Sequence, residues 1–526
     1  SATRASSRSI VWTLDNIIKW NYTFAQKHLV DVTLLQSAEQ SQYWSESMTG
    51  KQFSPTDILE WHNMQSANEK TFSSNDEKYT GDALMARLFY SYDNRYMLTA
   101  SVRRDGFSAF GRSNPRATFP SLALAWNFSN ESFFNWDPMS NGKLRISWGK
   151  NGNRDIGIYQ ALSQLTTGSG ISKYSYATSA GTLYELSTLQ IERMANNDLK
   201  WESTASWNVG LDFGFLNNRI NGSLEWYYMP TTDLLMDRTL PNISGYSSVV
   251  TNLGKVVNSG FEISLHSVNI DNENFSWNTA FNLSHNKNRI KHLYYTYEDV
   301  LDQNGNIVGS KEVDDINKSW FIDKPMGTIW DIEMIGIWQE NEAEEAAKYG
   351  QKPGDAKARD VNNDYRISQD DNVFLGQTDP KVRLSLRNDF VLFKDFDISF
   401  NLYSYLGHKA ATTDYLNYFD FKGDYLNAPV RNYWTPENQS NSYARLKSPK
   451  KIISRDFIRL ENISVGYRVP KKITTLLRTQ DIRVYATIRN VAIWAFSKEW
   501  SKANYWDVET TGSMPRTYAL GASITF

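Results

Sequence analysis

The chain has 526 residues, a formal net charge of −2 and no cysteine. Balanced charge gives no electrostatic case for nucleic acid, and the missing thiols remove disulfide frameworks and thiolate metal sites. No stretch is long and apolar enough for a membrane-crossing helix. A mean hydropathy of −0.53 still suits a wide membrane barrel, in which only alternate strand residues meet lipid.

Taken in order, the alternation of apolar and polar residues predicts strands over 9–20 and 28–36. The pattern is clearest next, over 82–128. Leu84, Ala86, Leu88, Tyr90 and Tyr92 form one row, and after an Asp93–Asn94 turn the row resumes as Tyr96, Leu98, Ala100 and Val102. It returns as Leu122, Leu124, Trp126 and Phe128. Ten such residues at about 3.3 Å each reach across a bilayer, and aromatic residues stand where an interfacial girdle would be. Strands are predicted over 82–91, 95–104, 117–128, 143–150, 206–215, 219–228, 255–270, 275–286, 381–392, 396–406, 457–469, 481–494 and 516–526. The register predicts that Leu98, Leu124, Leu211, Leu224, Ile263 and Leu520 face lipid. Thr99, Ala123, Asp212, Glu225, Ser264 and Gly521 then face the interior.

Connections alternate in length. Tight turns fall at Asp93, Asn217, Asp271 and Lys394, while 37–81, 151–205, 287–380 and 407–456 are long. Short turns on one side and long loops on the other define an outer-membrane barrel, all-β and antiparallel, with short periplasmic turns and long extracellular loops. A soluble sandwich or propeller has no reason to segregate loop lengths. The last strand carries Tyr518, Leu520, Ala522, Ile524 and Phe526 on one row. Tyr518, Leu520, Ile524 and the terminal Phe526 resemble the assembly signal of outer-membrane barrels. Residues 1–14 lack the basic-then-apolar pattern of a secretion signal, so the expectation is a removed signal or a chain that is part of something longer.

Several segments in fixed order resemble SusC/RagA-like TonB-dependent transporters. They are RYMLTASVRRDG at 95–106, TFPS at 118–121, WGKNGN at 148–153, NDLKWE at 197–202, TTDLL at 231–235, NLG at 252–254 and GFE at 260–262. WTPEN at 434–438, IRLEN at 458–462 and GY at 466–467 complete the set. The resemblance implies a barrel of about 22 strands around a plug, a SusD-like surface lipoprotein as lid, TonB as energy source, and oligosaccharide or peptide cargo, in the outer membrane of a Gram-negative bacterium. No plug-like sequence is present. The expectation is therefore that this chain supplies about 15 strands and that a second fragment carries the plug and early strands. Residues 1–7 would then belong to an outer loop, and the long loops would meet the lid. Two other readings stand beside this one: a soluble extracellular β-rich binding module or enzyme, and a lid-less TonB-dependent importer of metal chelates.

One local motif carries chemistry. Residues 360–371 (DVNNDYRISQDD) place oxygen donors as a calcium loop does: Asp360, Asn362 and Asp364 at positions 1, 3 and 5, the Arg366 carbonyl at 7 and Asp371 at 12. Tyr365 stands where such loops have Gly, Asp371 is shorter than the usual Glu, and 340–349 reads as one short flanking helix. Ca²⁺ (or Mg²⁺) stiffening a long outer loop is the expectation, against a solvated acidic turn. The sequence carries no G-x-S-x-G, H-E-x-x-H or Walker A motif, and its six histidines lack metal-ligand spacing, so neither catalysis nor an organic cofactor is expected. His266, in one row with Glu262 and Ser264, is expected on the interior. Aromatic groups at 174–176 and 415–425 could stack on cargo, although packing within the loops or against the lid explains them more simply.

Overall fold

A computed structural model describes residues 1–526 apart from 54–61, 167–173, 178–180, 182, 187–189, 241, 247, 303, 412–431, 433, 442–451, 498–507 and 510–513. Fifteen strands run in an antiparallel meander, each pairing with the next in sequence. They are β1 (Ala2–Phe24), β2 (His28–Lys51), β3 (Glu69–Tyr92), β4 (Tyr96–Phe107), β5 (Arg116–Trp126), β6 (Met139–Asn153), β7 (Glu202–Phe215) and β8 (Ile220–Thr239). Then follow β9 (Ser248–Asp271), β10 (Phe275–His292), β11 (Val382–Leu392), β12 (Phe396–Leu406), β13 (Phe457–Arg468), β14 (Asp481–Ala495) and β15 (Thr517–Thr525). Short strands at Gln164–Thr166 and Gln190–Arg193 hang on this sheet by one parallel bridge from Arg193 to Ser248. Among the described residues, no pairing joins β1 to β15.

All fifteen predicted strands are present. Their lengths differ from expectation at the long-loop end. The segment 37–81, expected as a loop, is mostly hairpin: Ser37–Lys51 belongs to β2 and Glu69–Gly81 to β3, paired in unbroken register. Residues 2–7, expected in an outer loop, are strand as well, with Ala2 opposite Gly50 and Ser7 opposite Ser45. β8 and β9 likewise continue past 228 and start before 255. A strand of 24 residues is about 80 Å long, and at a tilt near 40° it rises about 60 Å, roughly twice the apolar thickness of a bilayer. The β1–β3 ribbon therefore stands well clear of the membrane.

The opposite end closes with tight turns. Ala25–Gln26, Asp93–Asn94 and Phe393–Lys394 each carry two successive positive φ angles, the geometry whose twist matches paired strands. Asn and Asp tolerate it, whereas Phe393 and Lys394 hold it only because the flanking ladder fixes them. Aromatic rings gather here: Phe24 stacks on His28 at 4.6 Å, and Tyr92 on Tyr96 at 6.4 Å.

Register shows why the sheet has two chemically distinct faces. Directly opposed residues share a face, so one outward row runs Trp126, Leu144, Leu211, Leu224, Ile263, Leu283, Leu384 from β5 to β11. The inward row beside it runs Lys143, Asp212, Ser223, Ser264, Asn282, Ser385, Tyr403. Leu98 opposes Leu124 in an outward row, and Thr99 opposes Ala123 in an inward one. Leu520 and Gly521 fall on opposite faces of β15. Leu84, Leu124, Trp226 and Leu520 lie exposed on the outward face, an arrangement that water would penalise and hydrocarbon would not. The chain exposes 33664 Å², whereas a compact soluble protein of 60.5 kDa exposes roughly 19,500 Å².

Candidate functional site

The inward face is the first candidate surface. Across β6, β7, β8, β9, β10, β11 and β12 it presents Arg145, Gly210, Glu225, Glu262, Ser284, Arg383 and Tyr405 in one row. The Arg145 guanidinium donates to Asp212 at 2.7 Å and to Glu225 at 2.9 Å, spanning two strands. Gly210 makes this possible, because a Cβ there would meet the guanidinium at 3.0 Å. Asn208 adds an amide donor to Glu225 at 3.1 Å. Farther round, Asn282 accepts from Ser264 at 2.9 Å, and Asn401 donates to Glu461 at 2.5 Å. Arg383 lies 5.4 Å from the Tyr405 ring. Glu225, Ser264, Asn282, Arg383, Asn401 and Glu461 help to bound a concave space of about 580 Å³. Such a wall offers many weak donors and acceptors and few unpaired charges. Among the described residues it presents no nucleophile held by a base. His266 opposes Asn221 and Ala280 on this face, as expected.

The acidic turn is the second candidate. Asp360 accepts from the backbone N–H of Asn363 at 2.7 Å and of Tyr365 at 3.0 Å, and from the Tyr349 hydroxyl at 3.2 Å. Asn362 accepts from the Asp364 N–H at 3.1 Å, and Asp364 from the Arg366 N–H at 2.7 Å. Asn363 and Tyr365 hold φ of 60° and 62°. Tyr365 thus adopts the left-handed turn that Gly usually makes, at about 1 kcal/mol of strain. Asp371 is completely buried and accepts from the Ser368 N–H at 2.9 Å and the Val361 N–H at 2.8 Å. These two amides hold its carboxyl below the ordinary carboxylate range. The predicted helix is present as one turn of 3₁₀ helix, Glu340–Glu342, followed by α1 (Ala343–Lys348).

The turn therefore gathers the side chains of Asp360, Asn362, Asp364 and Asp371 onto its own backbone amides, and a hydrogen bond with Asp360 adds to the lowering of the Asp371 carboxyl. No group of three His, Cys, Asp or Glu side chains among the described residues converges on one point, so Asn362 and the Arg366 carbonyl would have to complete the set for a cation.

Other expected residues separate. Tyr518, Leu520 and Ile524 share the outward row of β15 and are exposed, as is Phe526. Tyr174 and Tyr176 lie in a small hairpin with Leu183–Leu186. The aromatic group 415–425 lies outside the described residues. Sequence reading missed the Arg145 bridge, whose signal was an arginine on the same inward face as Asp212 and Glu225. It also missed Arg459, buried at the long-loop end with Glu509 at 3.1 Å.

A strip of fifteen antiparallel strands, apolar outside and polar inside, with tight turns at one end and long excursions at the other, defines the wall of an outer-membrane β-barrel. No helix among the described residues is long and apolar enough to cross a membrane. The chain belongs to the family described as TonB dependent receptor-like, beta-barrel, whose model matches residues 3–491. This is a family of outer-membrane receptors and transporters, not of enzymes. The chain is 28% identical to TonB-dependent receptor P26 of Formosa agariphila over 98% of its own length and 53% of that protein. It is 29% identical to TonB-dependent receptor SusC of Bacteroides thetaiotaomicron, over 84% of this chain and 43% of that one. Among solved structures, the RagAB peptide transporter superposes with a TM-score of 0.76 at 21% identity, covering 100% of this chain and 56% of that chain. The chain spans about half the length of the curated relatives it matches.

Proposed function

We propose that this chain forms the wall of a TonB-energised importer of oligosaccharides or peptides, working with a SusD-like surface lipoprotein that lids its long-loop end. The observation that carries this reading is the polar inner wall, continuous from β6 to β12 and backed by an apolar outer face. Such a wall encloses a wet passage for a polar cargo. The extended β1–β3 ribbon and the described parts of the long connections between β6 and β7, β10 and β11, and β12 and β13 leave the sheet at the end opposite the tight turns, where a lid would sit.

The reading requires more strands. β1 and β15 each have one partner and one free edge among the described residues. Backbone groups left unpaired in hydrocarbon cost several kcal/mol each, so strands and a plug outside these residues close the barrel, on a second fragment or elsewhere in a longer polypeptide. TonB would act through that plug. Crosslinking in intact cells tests the reading: the lipoprotein should crosslink to the long-loop side, and crosslinks at Asn217, Asp271 or Lys394 instead would invert it.

Ca²⁺ (or Mg²⁺) at 360–371 belongs to the same proposal. Asp360, Asn362, Asp364, the Arg366 carbonyl and Asp371 would hold the ion, which would stiffen the outer loop and take no part in chemistry. Calorimetric titration of the whole transporter with Ca²⁺ should release heat, and Asp360→Ala should abolish it. Absence of heat in the parent protein would remove the site.

A further inference from the structure

At the tight-turn end, the connection between β13 and β14 is a short helix, α2 (Lys471–Leu476), entered through Pro470. Proline suits that place because a first-turn N–H has no helical partner to lose. A Schellman cap ends the helix: the Arg478 N–H donates to the Thr475 carbonyl at 3.1 Å and the Thr479 N–H to the Thr474 carbonyl at 2.9 Å. Arg478 holds φ at 58°, a conformation that glycine usually supplies. An arginine kept where glycine is easier points to a use for its charge.

The helix leaves its apolar side uncovered. Thr474 is buried, and the helix rests on β14. Ile473, Leu476 and Leu477, at i, i+3 and i+4, form one stripe. All three are exposed, Leu476 by 82%. Beside the stripe stand Lys471, Lys472 and Arg478, and residues 469–480 contain no Asp or Glu. Among the described residues no carboxylate pairs with these three cations, whereas Arg468 has Asp481 at 3.3 Å.

Position decides what covers the stripe. The Val469 N–H donates to the Ile482 carbonyl at 2.8 Å and the Gln480 N–H to the Thr525 carbonyl at 2.7 Å, so α2 hangs directly from the strand ends. The outward rows above it end in Tyr467, which packs on Phe396 at 4.6 Å, and in Ile524 and Phe526, both exposed. The inward rows end in the Asp397–Arg483 pair. An apolar stripe continues the first and not the second. Three residues past Tyr467, about 10 Å along the chain, the helix lies at headgroup depth. There a basic amphipathic helix sets its apolar side among the acyl chains and its cations among the phosphates.

We propose that α2 is an interfacial anchor in the periplasmic leaflet. Lys471, Lys472 and Arg478 bind anionic phospholipid headgroups, and Ile473, Leu476 and Leu477 sit among the upper acyl chains. Charge complementarity selects this occupant, because a zwitterionic leaflet would take the stripe and leave three cations uncompensated.

The inference rests on the tight-turn end being periplasmic. The test uses the whole transporter in phosphatidylcholine vesicles with and without phosphatidylglycerol, carrying a bimane fluorophore on a single cysteine. Lipids with a nitroxide high on the acyl chain should quench bimane at Leu476→Cys more strongly than aqueous iodide does, and iodide should dominate at Thr475→Cys. In native mass spectrometry with both lipids offered equally, phosphatidylglycerol should be retained over phosphatidylcholine by roughly tenfold. Lys471→Gln, Lys472→Gln and Arg478→Gln together should abolish that preference, and Lys471→Arg with Lys472→Arg should keep it. Heat-modifiable gel migration certifies assembly, and if the triple variant fails to assemble, the quenching contrast in the cysteine variants still decides. Iodide quenching without nitroxide quenching at Leu476→Cys, or equal retention of the two lipids, would overturn the anchor while leaving the barrel intact. A polyethylene glycol maleimide too large for porins, added to intact cells, should leave Thr475→Cys unlabelled; labelling would instead overturn the periplasmic assignment beneath the proposal.

Discussion

The middle of the sheet and its two edges are built from similar strands but live under different constraints. From β5 to β11 every strand has partners on both sides, its outward residues form one apolar row, and its inward residues bridge through Arg145, Asn282 and their neighbours. At the edges, β1 is exposed on both faces along nearly its whole length, and so is β15. Ile10, Trp12, Ile18 and Trp20 of β1 are as apolar as anything in the middle. The difference teaches that β1 and β15 carry sequences suited to pairing and burial which the described residues leave with one partner each, as the proposed larger barrel requires.

The largest expected effect breaks the comparison at the edge. Expressed without further strands, the chain should not give a heat-modifiable barrel band. Supplying the remaining strands and plug should restore it, and a band without them would show that β1 and β15 close on each other. The next effect separates the faces. Leu124→Arg, mid-row on the outward face, should destabilise the assembled barrel by about 2–4 kcal/mol in denaturant titration from lipid vesicles. Ala123→Ser, one residue along and inward, should change it by less than about 0.5 kcal/mol.

A smaller loss is expected inside the wall. Arg145→Ala leaves Asp212 and Glu225 facing each other without their shared cation, and should lower stability by about 1–2 kcal/mol. Asp212→Asn in the same background should recover part of that loss, a coupling that a double-mutant cycle measures.

The smallest effect is local, in the acidic turn. Because the folded pKa of Asp371 is depressed, the ordering it supplies is complete above the ordinary carboxylate pKa near 3.8. It is lost as pH falls through the lowered value. At neutral pH the turn should therefore resist trypsin cleavage after Arg366, and Asp371→Asn should cleave faster without changing global unfolding.

Much of this was legible in the sequence wherever burial differs on the two faces. All fifteen strands announce themselves because lipid on one side and water on the other impose period-two alternation, and Leu98, Leu124, Leu211, Leu224, Ile263 and Leu520 face as that pattern requires. The pattern fails above the membrane. Ser37–Lys51 and Glu69–Gly81 meet water on both sides, so nothing in Ser41, Gln42, Ser45 or Glu46 marks one face from the other, and the hairpin reads as a loop. Arg145 was hidden for another reason. Its partners lie 67 and 80 residues away, and only register brings them together. Tyr365 shows the converse, a residue that argues against a turn which the amides around Asp360 nevertheless impose.

The central claim is the orientation of the wall, and the absence of cysteine makes it directly measurable, since single cysteines can be introduced without background. Leu124→Cys and Ala123→Cys, in the assembled transporter in intact outer membranes, should be treated with a water-soluble maleimide. The account predicts that Leu124→Cys stays unlabelled while Ala123→Cys reacts. Labelling of Leu124→Cys with Ala123→Cys spared would contradict it.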